Sequence, residues 1–222
     1  MAAKASGSLL SATPVTVIAH FLGIAITTLV LVWIFHFEHG LALSSENKQK
    51  IFNVHPVLML IGFVFIIGEG IMAYKTVPST RRVQKLVHMI LLLMALVLGV
   101  LGIYAVFKFR NEVGIPAIPN MRTLHSWLGM GTICLFGFQW LLAFFSFFFP
   151  GAEIGTRARV APWHTFMGVV IFLMAICTAE AGLTEAFIFL GLNHGKEAFV
   201  VNFTGIAVLL FGIAVTLALI LP

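Results

Sequence analysis

Four histidines carry the chemistry open to this sequence: His55, His88, His125 and His164. Each sits a few residues inside a different long apolar stretch, and the four stretches are consecutive. An ionisable side chain at membrane depth is costly, so a histidine there points to a functional site with a partner. Neutral imidazole binds a metal through one ring nitrogen while the other makes a hydrogen bond. If the stretches cross a membrane in alternating directions, His55 and His125 lie near one face, and His88 and His164 near the other. That predicts two ligand pairs, His55 with His125 and His88 with His164, each meeting across the core of a helix bundle, where such folds build cofactor sites. Two trans imidazoles on one iron describe bis-histidine haem b, suited to electron transfer rather than oxygen chemistry. With each histidine about a turn inside its interface and a hydrocarbon core of about 30 Å, the irons would lie about 20 Å apart. The two pairs are then too distant to share one ion. Taken singly, each histidine reads equally well as a hydrogen-bonded core residue; the alternation of all four is what favours ligation.

The elements that must position these residues are membrane spans. The 222 residues are 60% apolar and 9% charged, with a mean hydropathy of +1.08, whereas soluble domains are about 45–50% apolar and about 25% charged. Six stretches reach the roughly 20 apolar residues a span needs: 15–37, 55–74, 84–107, 123–149, 161–182 and 198–221. The expected fold is an all-α membrane protein, one six-helix domain over 15–221 after a short tail, 1–14, with both cofactor sites in the core formed by helices two to five. The first stretch is too long for the apolar region of a cleaved signal peptide, about 7–15 residues. Cys134 and Cys177 fall inside apolar stretches and read as small buried hydrophobes rather than a disulfide. The formal charge of +5 is spread over short connections and offers no basic face for nucleic acid.

Those connections also orient the chain. Lys4, Lys75, Arg81, Arg82, Lys85, Arg157 and Arg159 fall on one side, and Lys48, Lys50, Lys108, Arg110, Arg122 and Lys196 on the other. Seven against six is close to balance. Clustering around the turn between spans two and three assigns the first side, and both termini, to the cytoplasm. Arg81 and Lys85 are four apart on one helix face and precede His88 by about two turns and one turn; Arg157 precedes His164 by a similar distance. Three cations over the cytoplasmic pair make a site for a small anionic reductant, although each alone reads as a positive-inside anchor. Lys108, Arg110 and Arg122 can serve an anionic acceptor or cofactor carboxylates on the other face. His20 sits inside span one with no partner of matching depth, and it reads as structural with His36, His39 and His194. Trp127 and Trp163 lie near the interfaces, where Trp is an anchor.

Phe52-Asn53-Val54-His55-Pro56-Val57-Leu58-Met59, Leu86-Val87-His88, Leu124-His125-Ser126-Trp127 and Pro162-Trp163-His164 follow in order through six spans. In that setting the whole chain resembles the cytochrome b561 family of transmembrane ascorbate-dependent reductases, its plant-type members most. The resemblance implies two haem b groups and a homodimer of six-helix protomers in a vacuolar, endomembrane or plasma membrane. It implies that cytosolic ascorbate yields one electron and one proton, and that the electron crosses to monodehydroascorbate or a ferric chelate. It implies ascorbate binding by Arg81, Lys85 and Arg157, and haem contacts by Lys75, by Asn120, Met121, Arg122 and Thr123, and by Glu185. Arg110 and Asn111, with Ser126 and Trp127, fall at the outer substrate site; relatives often have a histidine where this chain has Arg110, which leaves the outer acceptor open. Two other readings remain: a dihaem subunit that oxidises quinols within a larger complex, and a non-redox transporter whose histidines relay protons. Haem content and reducibility by ascorbate separate the three.

Overall fold

The computed structural model describes residues 11–113 and 121–222. Within them, six helical rods are long and apolar enough to cross a membrane: α1 (Thr13–Phe37), α2 (Gln49–Thr76), α3 (Arg81–Val113), α4 (Leu124–Phe148), α5 (Ile154–Phe189) and α6 (Lys196–Ile220). No strand occurs among the described residues. The rods match the expected spans, but α3 and α5 run further. α5 takes in Arg157, Arg159 and Pro162 at one end and Glu185 at the other, and its 36 residues extend about 54 Å against a hydrocarbon core of about 30 Å. The reason is that the membrane limits the apolar run, whereas the helix continues until its backbone is capped or turned. Asn111-Glu112 and Gly155–Arg159, expected in connections, are therefore helical.

Local sequence explains the ends and irregularities. α4 starts on a reciprocal cap: Ser126 N–H donates to Thr123 Oγ1 at 3.3 Å, and Thr123 N–H donates to Ser126 Oγ at 3.0 Å. In α2, Pro56 lacks the N–H that would close a bond to the Phe52 carbonyl, and a wide π-helical stretch, Leu58–Phe65, follows. Such stretches concentrate at functional sites. Asn53, 1% exposed, donates from Nδ2 to the Glu38 and Gly40 carbonyls, both at 2.8 Å, and so fastens the α1–α2 connection to the head of α2. At the opposite end, Ala12 N–H donates to the Pro222 carbonyl at 3.0 Å. Both described ends of the chain therefore lie on one face.

The rods form two layers of different character. α2, α3, α4 and α5 close a four-helix ring, in which each contacts its neighbours and α5 returns to α2. α1 and α6 pack along each other and cover the α2–α5 side of that ring. The solid core lies at this seam, around Ile26, Val30, Trp33, Phe172, Phe211 and Val215. His20, expected to be unpaired, has a partner there: its Nδ1 lies 2.9 Å from Glu69 Oε1 of α2. The sequence spacing hid this pair because the two residues belong to spans running in opposite directions. Cys134 and Cys177 also depart from expectation, since both face outward. In a membrane that face is as apolar as a core, so a small hydrophobe suits it equally.

Close approach at the seam depends on Gly68, where an added Cβ would collide with the fully buried ring of Phe211. Gly68→Ala is expected to destabilise the protein by about 1–3 kcal/mol, read as a lower unfolding temperature in detergent. Gly131→Ala, with nothing within 4 Å of the new methyl, is the control expected to leave that temperature unchanged.

Candidate cofactor and electron-transfer site

The ring of α2–α5 is hollow at both ends, and each hollow holds one of the expected histidine pairs. His55 and His125 face each other with ring centroids 6.0 Å apart and planes at 90°. They border a cavity of about 870 Å³, open solvent at its mouth included, with Met59, Phe63, Ile133 and Ala175 among its apolar walls. His88 and His164 stand 6.3 Å apart at 78°, in a cavity of about 1370 Å³ walled by Ile67, Leu92, Phe136 and Phe172 among others. Cofactor pockets commonly span about 300–1,000 Å³ and are mostly apolar with a few placed polar groups.

The histidine rings are set by backbone atoms of the facing helix. His55 Nδ1–H donates to the Gly102 carbonyl of α3 at 3.0 Å, and His88 Nδ1–H donates to the Gly70 carbonyl of α2 at 2.8 Å. His125 Nδ1–H donates to the Thr178 carbonyl of α5 at 2.9 Å. A carbonyl only accepts, so these bonds place the ring proton on Nδ1 and leave the Nε2 lone pair for a metal. Gly102 lies 14 residues after His88, and Thr178 lies 14 residues after His164, so the two hairpins hold their rings by the same register. For His164, Gln139 Nε2 donates to its carbonyl at 2.8 Å, and the Phe147 ring lies 5.4 Å from its own. Gly70 and His55 are 15 residues apart on α2, which sets the two cavities about 20 Å apart along the bundle.

These features fit a metal-centred prosthetic group. Two imidazoles binding one metal in trans, each through a bond of about 2 Å, hold their ring centroids about 6 Å apart, as both pairs do. Among the described residues no three His, Cys, Asp or Glu side chains come together as a metal site. Each cavity thus holds a facing pair of imidazoles inside apolar walls, a donor set that would suit a metal-centred macrocycle.

The remaining expected residues divide. Arg110, Met121, Thr123, Ser126 and Glu185 line the cavity of His55 and His125. Asn111 and Arg122 are exposed and outside that lining, Trp127 is 65% exposed, and Asn120 lies outside the described residues. In the second cavity Lys85 is part of the wall, and its Nζ donates to the Phe147 carbonyl. Arg81 sits 5.8 Å over the ring of Tyr74, which does line the cavity. Arg157 is outside the lining, and its buried Nε has no hydrogen-bond partner among the described residues. Lys75 donates from Nζ to the Leu221 carbonyl at the end of α6, 2.8 Å away, where a cation meets the negative end of a helix. Sequence reasoning missed Tyr74, Gln139, Trp140 and Phe147 in the wall, and the carbonyls of Gly70, Gly102 and Thr178. The shared 14-residue register was the one available signal for two of those carbonyls.

The fold and its two histidine-lined cavities thus define an intramembrane cofactor-binding helix bundle. The family model for eukaryotic cytochrome b561 matches residues 54–190. A probable ascorbate-specific transmembrane electron transporter of Oryza sativa subsp. japonica is 50% identical over 95% of this chain and 91% of its own length. An ascorbate-specific transmembrane electron transporter of Zea mays is also 50% identical, over 95% of this chain and 90% of its own. A transmembrane ascorbate ferrireductase of Arabidopsis thaliana is 45% identical over 94% of this chain and 87% of its own. The chain belongs to the cytochrome b561 family, and so to the oxidoreductases that carry haem b.

Gly182 of α5 presses on the His125 ring so closely that an added Cβ would lie 2.6 Å from Cε1. Gly182→Ala is expected to displace the ring from Thr178 and lower the haem content of the purified protein. Haem-to-protein ratio by pyridine hemochrome checks this.

Proposed function

We propose that the protein is a dihaem transmembrane electron carrier that takes single electrons from ascorbate at the His88/His164 end and delivers them at the His55/His125 end. The observation that carries this reading is one facing imidazole pair at each end of the bundle, with the Nδ1–H of three of the four rings already engaged by backbone. The names of the relatives supply ascorbate. One haem b in each cavity would supply reversible one-electron chemistry, its potential set by axial ligation and surroundings.

The protein's own work is to hold, orient and admit. His55 with His125, and His88 with His164, are the residues that would hold the two groups. Apolar walls keep water from the cavities, while Arg110, Thr123 and Glu185 offer polar contacts at the first mouth and Lys85 and Tyr74 at the second. Ascorbate carries a negative charge near neutral pH, and Lys85 attracts it to the wall of the larger cavity. Arg81, held over Tyr74, and Arg157 extend the positive rim. As ascorbate gives up its electron it also loses a proton, and the Lys85 ammonium lowers the cost of that step by favouring the more anionic form. Lys75, Arg122, Asn120 and Met121 stand as further haem contacts, and Asn111, Ser126 and Trp127 as outer-site residues, on the family resemblance. On this reading the outer acceptor is monodehydroascorbate or a ferric chelate, and the lysines and arginines flanking the second cavity support a cytoplasmic assignment for that end and for both termini.

Purified protein is expected to hold two haems, and His125→Ala and His164→Ala to lose one each while keeping the other. A hemochrome count of two in either variant, or no haem in the parent, sinks the pairing. Lys85→Ala is expected to keep both haems and slow their reduction about tenfold or more at low ascorbate, the effect of removing roughly 1.4 kcal/mol of charge-assisted contact. Stopped-flow absorbance measures it. Reduction by quinol analogues with indifference to ascorbate would instead assign the protein to quinol oxidation.

A further inference from the structure

The two histidine pairs are not held alike. His55, His88 and His125 each donate from Nδ1 to a backbone carbonyl of a facing helix, whereas the His164 ring makes no such bond among the described residues. Register shows where a matching partner would stand. Gly70, the acceptor for His88, follows His55 by 15 residues on α2, and the residue 15 after His125 on α4 is Trp140. At that height α4 grips the backbones of its neighbours instead of the His164 ring.

Gln139 and Trp140 are adjacent on α4, which packs against both α3 and α5. Consecutive helical residues point about 100° apart, so the two side chains reach different helices. Gln139 Nε2 donates to the carbonyl of His164 itself, on α5, at 2.8 Å. Trp140 Nε1 donates at 3.2 Å to the carbonyl of Met89, the residue after His88 on α3. A carbonyl oxygen has two lone pairs, so each can accept a side chain without leaving its own helix. Gly168 leaves the path of Gln139 open, since an added Cβ would lie 3.4 Å from Nε2. The Trp140 ring is fixed in turn by stacking on Phe144, 5.4 Å away at 15°. Both side chains line the larger cavity. An amide or indole N–H at membrane depth has no water to fall back on, so losing either contact costs more than at an aqueous surface.

We infer that Gln139 and Trp140 form a clamp that positions His88 and His164. By tying the α3 and α5 backbones to α4 beside the pair, the clamp fixes the 6.3 Å spacing of the two rings. Through Gln139 it also restrains the one ligand residue whose ring has no backbone acceptor. At the other end both rings are held by their own Nδ1 bonds, so the clamp governs one site of the two. The inference rests on the reading of each histidine pair as haem ligands. Hydrogen-bonding groups behind a metal ligand typically change affinity by about 10–100-fold when removed, which sets the size of the expected effect.

The full chain in detergent is compared as parent, Gln139→Leu and Trp140→Phe, the last keeping an aromatic ring without a donor. Two quantities are read: haem release into excess apomyoglobin, and the electron paramagnetic resonance of the ferric haems, which responds to the angle between the imidazole planes. His164→Ala identifies the signal of the larger cavity. In Gln139→Leu that signal is expected to shift and its haem to leave about tenfold faster or more, with the other haem unchanged on both counts. Trp140→Phe is expected to act on the same haem in the same direction. Two unchanged haems in Gln139→Leu, or two that change alike, overturn the clamp. If Gln139→Leu does not fold, Trp140→Phe is read by the same criteria. A parent without two haems brings down the ligand reading itself, whereas two haems in the parent and indifferent variants bring down the clamp alone.

Discussion

An imidazole inside a membrane has two nitrogens to satisfy and no water to satisfy them. That constraint orders much of this structure. In His55, His88 and His125 the Nδ1–H reaches across to a main-chain carbonyl of the adjacent helix, which leaves the Nε2 lone pair free for a metal. An unmet polar group at this depth costs several kcal/mol, so the ring orientation is held as firmly as the backbone itself. Metal ligands gain from the same bond, because it selects the tautomer and restrains the ring before any metal arrives.

The division of packing follows from this. A bundle that must hold large groups between its helices cannot also be solid there, so stability is concentrated elsewhere. α1 and α6 supply it, with Trp33, Phe211 and Val215 buried against α2 and α5. Meanwhile α3 and α4 are walls, apolar toward the cavity and toward lipid alike, and they are the least buried of the six rods. α2 belongs to both regions. Its π-helical stretch, Leu58–Phe65, begins just past His55-Pro56.

The two ends differ in chemistry as well as volume. At the His55/His125 end, the cavity has Arg110, Glu185 and the capped start of α4 at its edge. At the other, Tyr74, Lys85 and Phe147 border the larger cavity, with Arg81 held over Tyr74. Ion pairs that tie connections together, such as Lys48 with Glu112, sit at the first end, where Trp33 of α1 also donates to Glu197 of α6. A carrier of electrons between two aqueous faces needs such asymmetry, because the group that donates and the group that accepts meet different mouths.

Much of the fold was legible in the amino-acid sequence by itself. Apolar run lengths defined six spans, and the depth and alternation of His55, His88, His125 and His164 predicted their two pairings, because a helix converts residue number into height with little freedom. Of the polar groups at the first mouth, Arg110 was legible from its charge at the outer end of span three, whereas the roles of Thr123 and Glu185 were legible only through family resemblance. What the tertiary structure decided was azimuth: which face of each helix turns inward. That placed Lys85 in the cavity wall but Arg157 outside it, gave His20 its partner Glu69, brought Trp33 to Glu197, and set Lys75 on the end of α6. It also chose the carbonyls of Gly70, Gly102 and Thr178 as histidine partners. Every residue carries the same carbonyl, so residue type cannot announce which one a neighbouring helix will meet; only the packing of one helix against another decides it.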